Sequence, residues 1–293
     1  GGVDSSSIAL VAAGMQKSNG GIRFGAVTAI SESPRNSEES HAERVVTAGE
    51  LHWIKVRPSY DDFRRTLPRV VSSQEEPFAS ASICMQAFVM EAARQNGIVV
   101  LLDGQGGDET MLGYERYYAA YLIDLWRTGG GRALFRGVRN ATHSNSNMNV
   151  GRLAAFLLYM TVPKVRHLHQ SMRASYLKDA RALPAWVENF SSAFHDVRRL
   201  QILEIESITL PALLRYEDRN SMAFSIETRL PFLDYRLVEK AIALSPSLKM
   251  RDGWTKWALR KSMCDVLPPE IAWRRDKIGF AAPDDIWLTR HAE

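Results

Sequence analysis

Between residues 22 and 102, three short apolar runs alternate with longer stretches of helical periodicity. The runs are Ile22-Arg23-Phe24-Gly25-Ala26-Val27-Thr28-Ala29-Ile30, His52-Trp53-Ile54-Lys55-Val56 and Ile98-Val99-Val100-Leu101-Leu102. Helices are predicted over 5–16, 38–51, 61–71 and 80–95. Strand–helix–strand alternation with short loops restricts this part of the chain to a parallel α/β sheet with right-handed crossovers. The third run is apolar throughout and is expected to be a fully buried strand. Ligands bind such sheets beyond the carboxyl ends of the strands. That edge would carry Gly1, Thr28 and Asp103.

Beyond residue 116 strands become scarce and helical periodicity takes over, with helices expected over 200–215, 234–243 and 255–265. Gly129-Gly130-Gly131 and the polar run 143–149 read as connectors. The expected layout is an α/β nucleotide-binding core over 1–115 and a mainly helical half over 116–293. With 45% hydrophobic and 24% charged residues, the composition is that of a globular protein. No apolar run approaches the ~20 residues of a membrane span. Cys84 and Cys264 form neither a disulfide framework nor a C-x-x-C pair, which points to a reducing, cytoplasmic setting. A net charge of +4 is too modest to argue for nucleic acid and suits an anionic small molecule.

Four stretches carry chemistry. Gly1-Gly2-Val3-Asp4-Ser5-Ser6-Ser7-Ile8 is a glycine turn feeding a helix. The free N–H groups of a helix start, with serine hydroxyls, would hold a pyrophosphate. An acid there repels phosphate unless a metal stands between them, so Asp4 suggests Mg²⁺. The same residues also read as an ordinary helix cap. A functional turn normally follows a strand, so a strand is expected before Gly1. In Leu101-Leu102-Asp103-Gly104-Gln105-Gly106-Gly107-Asp108-Glu109, a strand runs into three glycines and two acids. Asp108 could share a metal with Asp4, or simply cap the next helix. In 218–234, Arg219 and Arg229 suit carboxylates and Glu227 an amino group, against the alternative of an internal Glu–Arg pair. In Trp273-Arg274-Arg275-Asp276-Lys277-Ile278-Gly279-Phe280, Lys277 could neutralise charge developing at phosphate; the alternative is a basic surface turn.

Together these stretches resemble the synthetase half of the asparagine synthetase family and its β-lactam-forming relatives. The family's Ser-Gly-Gly-x-Asp-Ser-Ser loop is matched by Gly1-Gly2-Val3-Asp4-Ser5-Ser6. Its second loop is matched by residues 103–109 and Gly113-Tyr114. Its later motifs are matched by Met222-Ala223, by Glu227-Thr228-Arg229-Leu230-Pro231-Phe232-Leu233-Asp234 and by Lys277-Ile278-Gly279-Phe280. The resemblance implies a parallel-sheet N-type ATP pyrophosphatase core (PP-loop, adenine nucleotide alpha hydrolase-like) with a helical C-terminal half. It implies that ATP lies with its pyrophosphate on Gly1, Gly2, Asp4, Ser5 and Ser6 and its adenosine near Val27, Asp103 and Gly104. Asp4 and Asp108 would hold Mg²⁺, Lys277 would stabilise the α-phosphate, and Arg219, Glu227 and Arg229 would serve the substrate. The reaction implied is adenylation of the aspartate side chain, followed by displacement of AMP by ammonia to give asparagine. The ammonia would come from glutamine on an N-terminal glutaminase domain ahead of Gly1, which neither Cys84 nor Cys264 can replace. The other partners implied are small molecules, with no membrane and no nucleic acid; a homodimer is compatible.

Gln105 stands where well-known members carry a glutamate assigned to the incoming amine. A glutamine cannot take that proton, although it can orient an amine or acyl group. The acceptor is therefore open between aspartate and another carboxylate, including an intramolecular, cyclising one. Two other classes remain: a tRNA-modifying PP-loop enzyme, favoured by Arg132, Arg136 and Arg139 but lacking a thiol pair, and a non-catalytic nucleotide-binding fragment.

Overall fold

The computed structural model describes residues 1–21, 23–78, 80–162, 165, 193, 196–276 and 279–290. In chain order its elements are α1 (Val3–Ser18), β1 (Gly25–Ala29), α2 (Glu39–Gly49), β2 (His52–Val56), α3 (Tyr60–Gln74), α4 (Ser82–Gln95) and β3 (Val100–Leu102). Next come α5 (Gly107–Thr110), α6 (Tyr117–Ser144), α7 (Val150–Thr161) and α8 (Val197–Leu203), the last continued by a π-helical turn over Glu204–Ile208. Then follow α9 (Leu210–Ala223), β4 (Glu227–Arg229), α10 (Tyr235–Ala243), α11 (Pro246–Lys249), α12 (Trp257–Ser262) and α13 (Pro269–Ala272).

The chain divides into two units. The first is Gly1–Gln105 with Pro211–Asp234 and Arg260–Glu293; the second is Gly106–Leu210 with Tyr235–Leu259. Where a break near residue 115 was expected, the chain leaves the first unit after Gln105 and later returns to it twice.

All four strands belong to the first unit. β1 and β2 pair in parallel, with Val27 opposite Ile54. β3 and β4 form a second parallel pair, with Leu101 opposite Thr228. Helix α4 explains why both pairs stand where they do. Its buried face presents Met90 and Ala93, and Val27 of β1, Leu101 of β3 and Ile226 gather on them. Its earlier turns bury Cys84, Met85, Ala87 and Phe88 against Phe63 of α3 and Trp287. Phe63 and Trp287 stack with ring centroids 4.7 Å apart. Helix α3 opens on a reciprocal cap: Asp62 N–H donates to Ser59 Oγ at 3.2 Å, and Ser59 N–H to the Asp62 carboxylate at 2.9 Å.

Several expectations need correction. The run 98–102 is not a fully buried strand. Val99 is 51% exposed and Val100 and Leu102 are each 39% exposed; of the run, Ile98 and Leu101 pack on the cluster around α4. The expected helix over 200–215 is instead α8, the π-helical turn and the start of α9. The matched stretch 227–234 opens with a strand, β4, which pairs with β3, and Asp103 N–H donates to Arg229 O at 3.0 Å. Gly129-Gly130-Gly131 does interrupt the helix: Gly130 is non-helical at φ 64°, ψ −162°, and two helical stretches within Tyr117–Ser144 meet there across a kink.

The second unit is helical. Tyr117, Tyr118 and Leu122 of α6, Leu153 of α7, Leu200 of α8 and Met250 form its core. Tyr118 carries its hydroxyl into that core and satisfies it on Gly253 O at 2.5 Å.

Candidate active site

In the first unit, α1 begins immediately after Gly2, whose extended backbone (φ −78°, ψ 159°) supplies no side-chain cap. The opening N–H groups of α1 are thus left without the usual capping oxygen. Ser5 is exposed at this end, while Ser7 turns inward and donates to Val3 O at 2.7 Å. The second glycine stretch reaches the same place. A Cβ on Gly104 would come within 2.8 Å of Ser5 N and 3.0 Å of Asp4 Cβ, so only glycine permits this approach. Gly1, Gly2, Asp4, Ser5, Ser6, Asp103 and Gly104 therefore belong to one unit, with the two glycine turns in contact. Arg274, in a stretch open to reading as a basic surface turn, is instead buried. Its guanidinium donates to Glu38 at 2.5 Å and to Gly1 O at 3.3 Å, tying the turn to the start of α2.

Val27 lies at the centre of β1 with its side chain in the cluster on α4, so its backbone is what a nucleotide would meet. The Asp103 carboxyl receives the backbone N–H groups of Gly104 and Gln105. Burial nevertheless raises its pKa, assisted by the charge of Asp4. Glu217 of α9 stands beside it. Only 1% of Glu217 is exposed, and neither carboxylate oxygen completes a hydrogen bond of good geometry. Burial, and then the charge of Asp103, push Glu217 up to about 8, with the nearby Thr228 hydroxyl offsetting part of the effect.

The proposed substrate groups are engaged elsewhere in the first unit. Arg229 Nε pairs with Glu227 at 2.8 Å on the surface, which is the internal Glu–Arg pair weighed as the alternative reading. Arg219 pairs with Glu75 at 2.8 Å. Lys277 lies outside the described residues.

Asp108 belongs to the second unit, in the short helix α5. Its Oδ1 takes the ammonium of Lys256 at 2.8 Å, and Lys256 is itself buried. A Cβ on Gly113 would overlap both Asp108 Oδ1 and Lys256 Cε, so this residue must be glycine for the pair to close. Glu109 turns inward and accepts from Tyr114 Oη at 2.5 Å. Among the described residues no group of three or more metal-ligating side chains stands together. Of the two carboxylates expected to serve a metal, Asp4 lies in the first unit and Asp108 in the second.

Sequence reasoning did not single out Glu217, Lys256 or Arg274. Each lies outside the glycine turns and reaches its neighbours only through the fold. The one local signal was the density of charged residues around 217–219 and 273–277.

The profile of the Asparagine synthase family matches residues 1–293. The chain is 26% identical over 305 residues to "Asparagine synthetase [glutamine-hydrolyzing] 1" of Bacillus subtilis, covering 98% of this chain and 46% of that protein. It is 24% identical over 334 residues to "Amidase chyE" of Penicillium rubens, covering 98% of this chain and 49% of that protein. The chain thus spans less than half the length of either relative.

Proposed function

For a chain that belongs to the asparagine synthase family, we propose an ATP-dependent ligase activity that joins an amine to an activated carboxylate. The observation that carries this reading is the contact of two glycine turns, Gly104 lying against Ser5 N and Asp4 at the uncapped start of α1. Backbone N–H groups and the Ser5 hydroxyl there suit the pyrophosphate of ATP. Gly1, Gly2 and Ser6 complete that turn. The Asp103-Gly104 backbone and the backbone of Val27 receive the adenosine.

The substrate carboxylate attacks the α-phosphorus, forming an acyl-adenylate and expelling pyrophosphate. Magnesium, when bound, would neutralise charge on the leaving pyrophosphate, and Asp4 and Asp108 are the residues that would hold it. Lys277 balances charge at the α-phosphate. Gln105 orients the amine, which attacks the acyl carbon and releases AMP. Arg219, Glu227 and Arg229 leave their surface pairs to receive the acceptor. The chain's contribution is positioning and charge stabilisation. Aspartate is the proposed acceptor, and the ammonia is proposed to come from glutamine on a preceding domain. Gln105 favours a second reading, in which the same adenylation serves another carboxylate.

Exchange of labelled pyrophosphate into ATP tests this. Aspartate is expected to stimulate exchange, and Asp108→Asn to lower it at least about 100-fold, the scale of losing one preorganised electrostatic contact. Exchange stimulated by a different carboxylic acid alone would select the second reading. Full exchange in Asp108→Asn would overturn the metal assignment.

A further inference from the structure

The turn that carries Asp108 is held from behind as well as in front. Lys249 ends α11 and is fully buried. Among the described residues its ammonium meets no carboxylate. It donates to Gln201 Oε1 at 2.6 Å and to Ala241 O at 2.6 Å. Gln201 of α8 is fully buried too, and its Nε2 donates to Glu109 O at 3.1 Å and Thr110 O at 2.6 Å. The orientation of this amide is not arbitrary. An ammonium only donates, so Oε1 must face Lys249; carbonyls only accept, so Nε2 must face α5. Helix α5 has four residues and cannot satisfy its last carbonyls internally. Gln201 satisfies two of them, and Lys249 fixes Gln201. All of these groups lie in the second unit.

A buried ammonium without a carboxylate is an expensive way to stabilise a fold. Burial, together with the charge of Arg198, pushes Lys249 down to about 8.

We infer that Lys249 is a positioning residue that acts through Gln201 to fix the main chain of Glu109 and Thr110, and so sets where the Asp108 carboxylate stands. Lys256 pins the side chain of Asp108 directly; the Lys249–Gln201 relay pins the backbone beneath it. This rests on the reading of Asp108 as a ligand of magnesium on pyrophosphate.

The test separates positioning from stability. The double variant Lys249→Met with Gln201→Leu replaces the buried polar pair by an apolar one. The carbonyls of Glu109, Thr110 and Ala241 lose these donors, so the variant is expected to melt below the parent chain while remaining folded. Two further readouts are expected to change. Amide hydrogen exchange over residues 106–111 should quicken at least about 10-fold, the backbone having lost its donors. Mn²⁺, followed by its EPR signal in the presence of ATP, should bind about 10-fold more weakly. Gln201→Glu is the second variant. It keeps an acceptor for Lys249 but removes both donors to α5, and the same two changes are expected. A folded variant of either kind with parental exchange and parental Mn²⁺ affinity would overturn the inference. If the parent chain itself binds no Mn²⁺ with ATP, the ligase reading fails; the exchange of 106–111 without ligand still decides whether the relay holds the turn.

Discussion

Glu217 is a carboxyl with almost no water around it and another carboxyl, Asp103, as the charge acting on it. Its pKa climbs from an ordinary value of 4.5 to about 8. Between those two values the folded chain keeps a proton that the unfolded chain has released, so folding stability falls as pH rises through that window. Below about pH 4.5 both states carry the proton and nothing is lost. Glu217→Gln mimics the protonated form permanently. Urea denaturation at pH 5 and pH 8.5 should therefore show the variant gaining on the parent chain by roughly 1–3 kcal/mol at the higher pH. An equal difference at both pH values would show that Glu217 does not titrate in this range. Cys84 shows burial acting on a thiol. It is fully enclosed and pushed up to about 12, which makes it inert beside Cys264.

At the scale of elements, one amide of α9 reaches both α3 and α4. Asn220 is fully buried; its Nδ2 donates to Ile83 O at 2.9 Å and Gln86 Oε1 at 2.9 Å, while its Oδ1 accepts from Gln74 Nε2 at 3.0 Å. Asn220→Ala should cost about 2–4 kcal/mol, since its bonds to Ile83, Gln86 and Gln74 are lost at once. A chemical-denaturation midpoint within error of the parent would contradict this.

The same helix shows what was and was not legible in the residues alone. Helices α1 to α4 and strands β1 and β2 stood out because apolar spacing and Gly, Ser or Asn boundaries agreed. β4 did not, because Glu227-Thr228-Arg229 has no apolar residue and becomes a strand only by pairing with β3. The glycine turns carried their own signal, close backbone approach needing residues without a Cβ. Their supporting side chains did not. Lys249, Gln201, Lys256, Glu217 and Asn220 sit in ordinary polar positions of the sequence, and only tertiary burial gives them partners. Gly130 reads as a connector because three glycines favour a break, and the structure breaks the helix there.

For the whole molecule, the interleaving of the two units matters most. The first unit needs Pro211–Asp234, which brings α9, β4, Glu217 and Asn220, and also Arg260–Glu293. A fragment of residues 1–115 would lack the only partner of β3 among the described residues and the Asn220 clamp on α3 and α4. It is expected to give no cooperative thermal transition and no near-ultraviolet dichroism. A sharp transition from that fragment would show that the α/β segment folds without its later pieces.

The exposed side of β3 has a further consequence. Val99, Val100 and Leu102 offer apolar side chains to water on a strand that is hydrogen-bonded along one side only among the described residues. Such an edge is a template for another strand, so self-association of this chain is expected to rise with its concentration.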